Sequence, residues 1–346
     1  MRSGESRLNK KVQLSDRQRR QKSIILGIVL AAACVIGVVI WMHNNPLDDP
    51  GTVRLKKICG YLLLVTGVLL IFGAYDKLLV LPKELWLSRR LIWRLAKNDF
   101  RKRYAGSFFG AVWAMVPPVV TVIMYWIVFD KIFGQHTMAL ASGEELPYVV
   151  FLTAGLVPWF FFSDSLNSGT CSLLEYNYLV KKVVFKISVL PIIKIIAALF
   201  THLFFTGVLL VITMAAGYRP SIYWIQLIYY TFAEFIFVLG VCYATCAITV
   251  YFRDLQQIIS ILLQVGMWAT PILWDITRLD GRRVMILVKM NPMTYIVNGY
   301  RNAIFEHQWF WVHFYSSTYF WILTVLVFCI GSLIFKKLKV GFADVL

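Results

Sequence analysis

ISVLPIIKIIAALFTHLFFTGVLLVITMAA, residues 187–216, is a continuous apolar run whose one formally charged side chain is Lys194. An α-helix rises about 1.5 Å per residue, so about 20 apolar residues cross a hydrocarbon core about 30 Å thick. The run is long enough to cross a bilayer, and it lacks the polar face of a surface helix in a soluble protein. It therefore predicts a transmembrane helix.

The composition of the whole chain also indicates a membrane protein. Of the 346 residues, 59% are hydrophobic and only 15% are charged, whereas about a quarter are charged in a typical soluble domain. The 12 Trp and 17 Tyr suit a protein with long rims at the membrane–water interface. These values predict an all-α, polytopic membrane protein.

Seven further apolar segments suit membrane-spanning helices, which makes eight predicted crossings. In chain order they are Ser23–Met42, Ile58–Leu81, Phe108–Phe133, Leu146–Phe162, Ile222–Tyr251, Leu255–Leu273 and Tyr319–Phe335. The first two predict a transmembrane helical hairpin over residues 23–81. Residues 274–317 contain only short apolar pieces, which predict half-helices or a re-entrant hairpin in or just outside the outer leaflet.

Residues 82–106, here called the interface helix, have a different pattern. In LWLSRRLIWRLAKNDFRKRYAG (85–106) apolar and basic residues alternate with helical spacing, which predicts an amphipathic helix lying in the membrane interface. A lipid pyrophosphate that arrives along the inner leaflet would meet four of its cations, since Arg and Lys bind phosphate. These are Lys97, Arg101, Lys102 and Arg103. Non-specific attraction to headgroups, about 1 kcal/mol per residue, is the alternative.

The distribution of Lys and Arg predicts the orientation in the membrane. The net charge is +17, and basic residues are concentrated in the tail 1–22, in the interface helix, near residues 175–186 and in the C-terminal KKLK. Because cytoplasmic loops are enriched in Lys and Arg, both termini are expected in the cytoplasm. The segment 274–317 also carries basic residues and departs from this rule. The cations lie between apolar spans, so no nucleic-acid partner is expected.

The sequence contains no pattern for nucleotide, metal or glycosyl-transfer chemistry. The phosphate-binding pattern GxxxxGK[ST] is absent, as are CxxC, DxD and paired His motifs. Cys242 and Cys246 share a helix face without a His or carboxylate at ligand spacing, which favours small buried side chains. We therefore expect no catalytic residue, metal or cofactor in this chain.

Five strings in matching order resemble the membrane subunit of bacterial polysaccharide ABC exporters, an ABC-2 type family that exports O-antigen, capsule or teichoic acid. The first three are long segments: residues 98–129, which start with NDFRKRYAG, residues 155–185, which start with GLVPWFFF, and residues 251–274, which start with YFRDLQQ. The last two are NPMTYIVNGYR (291–301) and FKKLKVGFADVL (335–346). The resemblance implies a six-span permease core over 107–346 that follows the interface helix. The extra N-terminal hairpin is a departure from the family. It could dock a partner or be a passive anchor.

The resemblance also implies a function. The substrate would be a polysaccharide on a polyprenyl pyrophosphate carrier, moved across the bacterial cytoplasmic (inner) membrane. One copy has too few helices for a wide channel, so a two-fold homodimer is expected. Two copies of a separate ATP-binding cassette subunit would bind ATP and Mg. An exporter of a drug or small lipid and, less favoured, an integral-membrane glycan or lipid enzyme are the alternatives.

Two loops would contact the ATP-binding subunit if the resemblance holds. One is the segment EYNYLVKKVVF (175–185), here called the docking segment, whose apolar side could enter a groove of that subunit. The other is YFRD (251–254). The residues assigned to the contact are Glu175, Tyr178, Lys181, Lys182, Arg253 and Asp254. An ordinary basic loop and simple helix capping are the respective alternatives.

Aromatic residues in the spans are candidates for a glycan path, because their faces stack on the apolar faces of sugars. The candidates are Trp113, Tyr125, Trp126, Trp159, Phe160 and Trp268. Lipid-interface belts and helix packing are the alternative for each.

Ionisable groups within spans are costly and are functional candidates by default. Glu234 lies near the middle of its span, and Lys194 and His202 in the preceding span could pair with it across helices. A structural ion pair or a protonated Glu234 is expected rather than a proton relay.

Overall fold

The computed structural model of the protein describes residues 2–42, 50–78, 80–103, 109–139, 145–180, 186–276 and 282–345. Within these ranges almost all residues are helical, which confirms the all-α class. The chain divides into two compact units, Met1–Tyr75 and Asp76–Leu346, which are described separately.

The first unit contains two helices, α1 (Arg2–Met42) and most of α2 (Pro50–Leu78). Small residues form their contact: Tyr61 packs at Gly37, and Ile40 packs at Gly60. The Tyr61 hydroxyl also donates to the carbonyl of Gly37 at 2.9 Å. Both helices of the predicted hairpin are thus present, and its insertion in the membrane stays a prediction.

The interface helix consists of α3 (Val80–Leu87) and α4 (Arg89–Arg103), with a turn at Ser88. The N–H of Ser88 donates to the carbonyl of Glu84, and the N–H of Ile92 donates to that of Ser88, so helical hydrogen bonding continues through the turn. Helix α4 buries Ile92, Ala96 and Asp99, which share one face because they are spaced by three or four residues. An acidic residue thus lies on the buried side of a basic helix.

The larger unit is built mainly from long apolar helices. They are α5 (Val116–Trp126), α6 (Tyr148–Glu175), α8 (Leu190–Ala215), α9 (Gln226–Tyr251), α10 (Leu255–Ala269) and α13 (Phe314–Leu338). A 3₁₀ turn (Gly110–Ala114) precedes α5 and a π-helical turn (Ile127–Ile132) follows it. The shorter helices are α7 (Asn177–Val180), α11 (Arg282–Met290), α12 (Pro292–Arg301) and α14 (Phe342–Val345).

Six helices in the described part of the chain are long and apolar enough to cross a membrane. The spans are Lys22–Met42, Val112–Ile132, Tyr148–Glu175, Ile187–Ala215, Ile222–Tyr251 and Phe314–Gly341. The other two predicted crossings coincide with shorter apolar helices, Lys57–Gly73 and Leu255–Ala269. The structure therefore confirms a polytopic chain.

The prediction was wrong about the end of the span that begins at Leu146. Helix α6 continues past Phe162 to Glu175, because polar residues beyond Phe162 have partners within the protein. Asp164 receives hydrogen bonds from Arg103, and the Ser168 hydroxyl donates to the carbonyl of Asp164. A hydropathy pattern cannot reveal such partners.

Residues 270–313 lie between α10 and α13, and their described part contains the short helices α11 and α12. Their placement in or just outside the outer leaflet stays a prediction. Asn291 caps α12 by accepting from the N–H of Met293 and ties it to the end of α10 by donating to Thr270. Between α5 and α6, strands β1 (Thr137–Ala139) and β2 (Glu145–Pro147) form an antiparallel pair that was not predicted, since three residues are too few for an alternating pattern.

Helices α9 and α13 approach each other closely at two glycines. A Cβ atom at Gly331 would lie 2.2 Å from the carbonyl oxygen of Gly240, and one at Gly240 would lie 2.9 Å from the backbone of Phe328. Small residues allow backbones to approach in this way in membrane helix pairs. The pair forms a fixed part of the core.

Gly331→Ala should therefore lower the free energy of unfolding by about 1–3 kcal/mol, the usual cost of overpacking. The matched control is Gly207→Ala in α8, where an added Cβ meets no atom within 4 Å and where stability should rise slightly. Thermal unfolding of both purified variants in detergent measures the difference. Equal stabilities would contradict the close α9–α13 contact.

Candidate functional site

Lys194 of α8 lies at the centre of a charged group that we call the Lys194 cluster: Asp99, Arg103, Glu175, Tyr176 and Lys194. The Lys194 ammonium lies 2.8 Å from Asp99 Oδ1 and 2.5 Å from Glu175 Oε2. The Tyr176 hydroxyl donates to the same Asp99 oxygen at 2.5 Å, and its ring centroid is 4.9 Å from the ammonium. Residues from α4, from the end of α6 and from α8 thus meet at one point.

Arg103 extends the cluster along α6. Its Nη1 donates to both carboxylate oxygens of Asp164 at 3.2 Å, and its Nε lies 3.5 Å from Asp99 Oδ2. The planar guanidinium suits two carboxylates. Asp99 is therefore surrounded by Lys194, Arg103 and Tyr176.

Burial decides the electrostatics of the cluster. The side chains of Lys194 and Asp99 are 6% and 8% exposed, whereas that of Glu175 is 50% exposed. Burial alone would raise the pKa of Asp99, but hydrogen bonds from Lys194 and Tyr176 and the charges of Lys194 and Arg103 outweigh it and lower that pKa. Burial and the nearby Asp99 carboxylate raise the pKa of Tyr176, so its phenol keeps the proton it donates.

Lys194 does not pair with Glu234, which was one of the two arrangements expected for that carboxyl. Lys194 is held by Asp99 and Glu175 instead. Asp99 was not among the predicted site residues. One signal could have found it: it is the single acidic residue among seven basic ones in 89–103, and it lies on the apolar face of the helix.

His202 also has partners other than Glu234. Its Nε2 lies 3.0 Å from the Tyr300 hydroxyl and 3.1 Å from the Thr231 hydroxyl, and these two hydroxyls are 2.7 Å apart. The Phe161 ring lies 4.7 Å from the imidazole. The side chain is therefore part of a hydroxyl network that joins α8, α9 and α12.

Glu234 is fully buried, and its carboxyl oxygens make no hydrogen bond of good geometry to a described residue. An ionised carboxylate without a partner would cost several kcal/mol in such a place. Of the two expected states, an ion pair and a protonated Glu234, the geometry therefore favours the protonated acid.

Glu234→Gln should preserve assembly and activity, because an amide resembles a neutral carboxylic acid in shape. The matched control is Gln226→Glu, since Gln226 donates to the carbonyl of Gln308 and accepts from the N–H of Phe310, and a carboxylate cannot do both. That variant should unfold at a lower temperature in detergent. Loss of activity in a stably assembled Glu234→Gln variant would show that Glu234 works as a charged group.

Arg301 of α12 lies beside Phe151, near the start of α6, whereas the Lys194 cluster lies at the end of that helix. Arg301 was not among the predicted site residues. Its guanidinium donates to the carbonyls of Pro271 at 2.6 Å and Ile272 at 2.8 Å, and it lies 3.5 Å from the centroid of the Phe151 ring. Buried backbone carbonyls need donors, and Pro271 and Ile272 are buried in the turn that directly follows α10. Burial lowers the pKa of Arg301 to about 9. This pKa is still above neutral pH, so the guanidinium stays protonated. Gly155 leaves the necessary space, since a Cβ there would lie 2.9 Å from Nη2.

Arg301→Lys should lower the free energy of unfolding by about 1.5–3 kcal/mol, since a lysine cannot donate to both carbonyls from a planar fork. Arg219→Lys, at an exposed loop position, is the control and should unfold like the wild type. Thermal unfolding in detergent provides the comparison. If the two variants have the same midpoint, the carbonyl contacts of Arg301 do not stabilise the turn.

The residues assigned to the ATP-binding subunit differ in their surroundings. Tyr178, Arg253 and Asp254 are exposed. Asp254 stands at the N-cap position of α10 but makes no side-chain cap, so capping does not explain it. Glu175 is held by Lys194. Lys181 and Lys182 lie outside the described residues.

The cations of the interface helix fall into two groups. Lys97, Arg101 and Lys102 are exposed, so they are accessible to an anionic group. Arg103 is half-buried and bound to two carboxylates of the chain. Of these four cations, Lys97, Arg101 and Lys102 are therefore accessible to a phosphate.

The aromatic candidates are similarly divided. Trp113 and Trp268 are exposed, whereas Trp159 is buried with its ring against Gly266 of α10. The others are half-buried: Tyr125 beside Phe129, Trp126 beneath Lys131, and Phe160 beside Phe205. Their contact with a glycan stays a prediction.

Residues 90–305 match the ABC-2 type transporter family. The chain belongs to this family. The matched region begins in α4 and includes the Lys194 cluster and Arg301. Helices α1 and α2 of the ABC-2 protein lie outside it. The chain is thus a transport component and a multi-pass membrane protein.

Several relatives of this ABC-2 protein are named for polysaccharide transport. It is 29% identical to the O-antigen export system permease protein RfbA of Myxococcus xanthus over 229 residues, 66% of this chain and 85% of that protein. A Klebsiella pneumoniae protein of the same name is 27% identical over 258 residues, 73% and 93% of the two chains. The polysialic acid transport protein KpsM of Escherichia coli is 24% identical over 217 residues, 60% and 78% of the two chains.

Proposed function

We propose that this chain is the permease subunit of an ATP-driven exporter that moves a polysaccharide across the bacterial cytoplasmic membrane. The observation that carries the proposal is the ABC-2 match in a chain whose relatives are named for polysaccharide export. The substrate is a glycan on a polyprenyl pyrophosphate carrier, such as O-antigen or teichoic acid. Both termini face the cytoplasm, as the excess of Lys and Arg there favours.

A separate ATP-binding cassette subunit, present in two copies, supplies the energy. The chain has no GxxxxGK[ST] pattern for nucleotide phosphates, so ATP and Mg bind to that partner. It docks on the docking segment and on residues 251–254. The exposure of Tyr178, Arg253 and Asp254 supports this assignment.

Two copies of the permease form a homodimer around the glycan path. Two helices support this, because each exposes a row of large apolar residues at helical spacing. The rows are Val116, Val120, Ile123 and Met124 in α5, and Ile258, Ile261, Leu262, Val265 and Trp268 in α10. A two-fold pairing would cover such faces and enclose a channel between the copies.

Lys97, Arg101 and Lys102 receive the pyrophosphate at the inner leaflet. Their exposure on one amphipathic helix supports this role, since charge-assisted hydrogen bonds to phosphate are short and strong. Arg103 is excluded from the proposal because its guanidinium binds Asp99 and Asp164.

The experiment measures ATP hydrolysis by the purified complex as polyprenyl-pyrophosphate-linked glycan is added. The glycan should stimulate hydrolysis, whereas drug-like compounds and small lipids should not. Stimulation by small lipids alone would favour an exporter of another substrate class.

The triple variant Lys97→Gln, Arg101→Gln, Lys102→Gln should raise the half-stimulating concentration of the lipid-linked glycan at least about tenfold, since one charge-assisted hydrogen bond contributes about 1.5–3 kcal/mol. The control is Lys336→Gln, Lys337→Gln at the end of α13, where the cations are also exposed. Equal effects of the two variants would indicate headgroup attraction alone. An unchanged concentration in the triple variant would exclude these residues from the substrate entrance.

A further inference from the structure

The Lys194 cluster places one ammonium between two parts of the protein that have separate proposed roles. Asp99 belongs to the interface helix, which carries the exposed cations of the substrate entrance. Glu175 is the last residue of α6 and the first of the docking segment. Lys194 binds both carboxylates, at 2.8 and 2.5 Å. The Lys194 side chain thus joins the interface helix to the docking segment.

The two contacts of Lys194 are unequal. Asp99 is buried and is also bound by Tyr176 and Arg103, so this contact is fixed. Glu175 is half exposed, and water can therefore solvate its carboxylate when the contact opens. A displacement of the docking segment would strain or open the Glu175 contact first. Tyr176, the next residue, reaches Asp99 directly and ties the same segment to the interface helix.

We propose that Lys194 is a positioning residue for energy coupling, which passes displacement of the docking segment to the interface helix. The inference rests on the proposed function, because it requires an ATP-binding subunit on the docking segment. When that subunit moves the docking segment, Glu175 and Tyr176 move with it. Lys194 and Asp99 transmit the displacement to α4, and so to Lys97, Arg101 and Lys102.

The cluster also explains why the link can be tested without unfolding the protein. Removal of the Lys194 charge leaves Asp99 with Arg103 and Tyr176, so the buried carboxylate keeps a positive neighbour and a donor. Removal of the Glu175 charge leaves Lys194 with Asp99. Either change should therefore preserve assembly while it breaks the connection through Lys194. The hydrogen bond from Tyr176 to Asp99 remains in both variants.

The experiment uses the full chain with its ATP-binding subunit in proteoliposomes, and it measures polysaccharide exported per ATP hydrolysed. Lys194→Met and Glu175→Gln should each lower this ratio by about tenfold, within the range of measured coupling between sites, while ATP hydrolysis continues. Lys194→Arg should retain the ratio, because a guanidinium can bind both carboxylates. The double variant should be no worse than Lys194→Met alone, since both changes break the same connection.

The matched control is Lys131→Met, which breaks an ion pair with Asp130 at 3.1 Å outside the cluster and should leave the ratio unchanged. A normal ratio in Lys194→Met or Glu175→Gln would overturn the proposal. So would a parallel loss of assembly, hydrolysis and export in Glu175→Gln, because it would indicate a purely structural ion pair. The wild-type complex distinguishes the two proposals: if it exports no polysaccharide, the proposed function fails, whereas loss of coupling is judged only against an active wild type.

Discussion

A buried ammonium in a membrane protein needs carboxylate partners, and the two partners of Lys194 determine how the helices of this chain are joined. One carboxylate comes from α4 and the other from the end of α6, while the ammonium itself belongs to α8. The pairing therefore holds an amphipathic helix, which has no long apolar span of its own, against the membrane-spanning core.

Two other contacts join the helices of the core: a close approach of two helix backbones, and a guanidinium bound to backbone carbonyls. Gly240 and Gly331 bring α9 and α13 to backbone contact, and Arg301 binds two carbonyls of the turn that follows α10. By contrast, α5 and α10 present exposed apolar rows. These rows are the surfaces on which the proposed homodimer would pair.

The apolar spans and the interface helix could be predicted from the sequence, because hydropathy and helical spacing are local properties. The ion pairs could not. Lys194 and Asp99 are 95 positions apart, and no local pattern indicates that α4 lies beside α8. The same reason explains the expected pairing of Lys194 with Glu234, which does not form, and the early end of the span at Phe162, where Asp164 has Arg103 as a partner. Arg103 was likewise predicted to contact phosphate, because the sequence does not show that Asp99 and Asp164 bind its guanidinium.

The central claim is that this chain forms the passage for a polysaccharide and takes its energy from a second protein. Transport of polyprenyl-pyrophosphate-linked glycan into proteoliposomes, with the chain alone, its ATP-binding subunit alone and both together, tests it most directly. The account predicts ATP-dependent transport only when both are present, and no ATP hydrolysis by the chain alone. Hydrolysis by the isolated chain, or transport without the second protein, would contradict it.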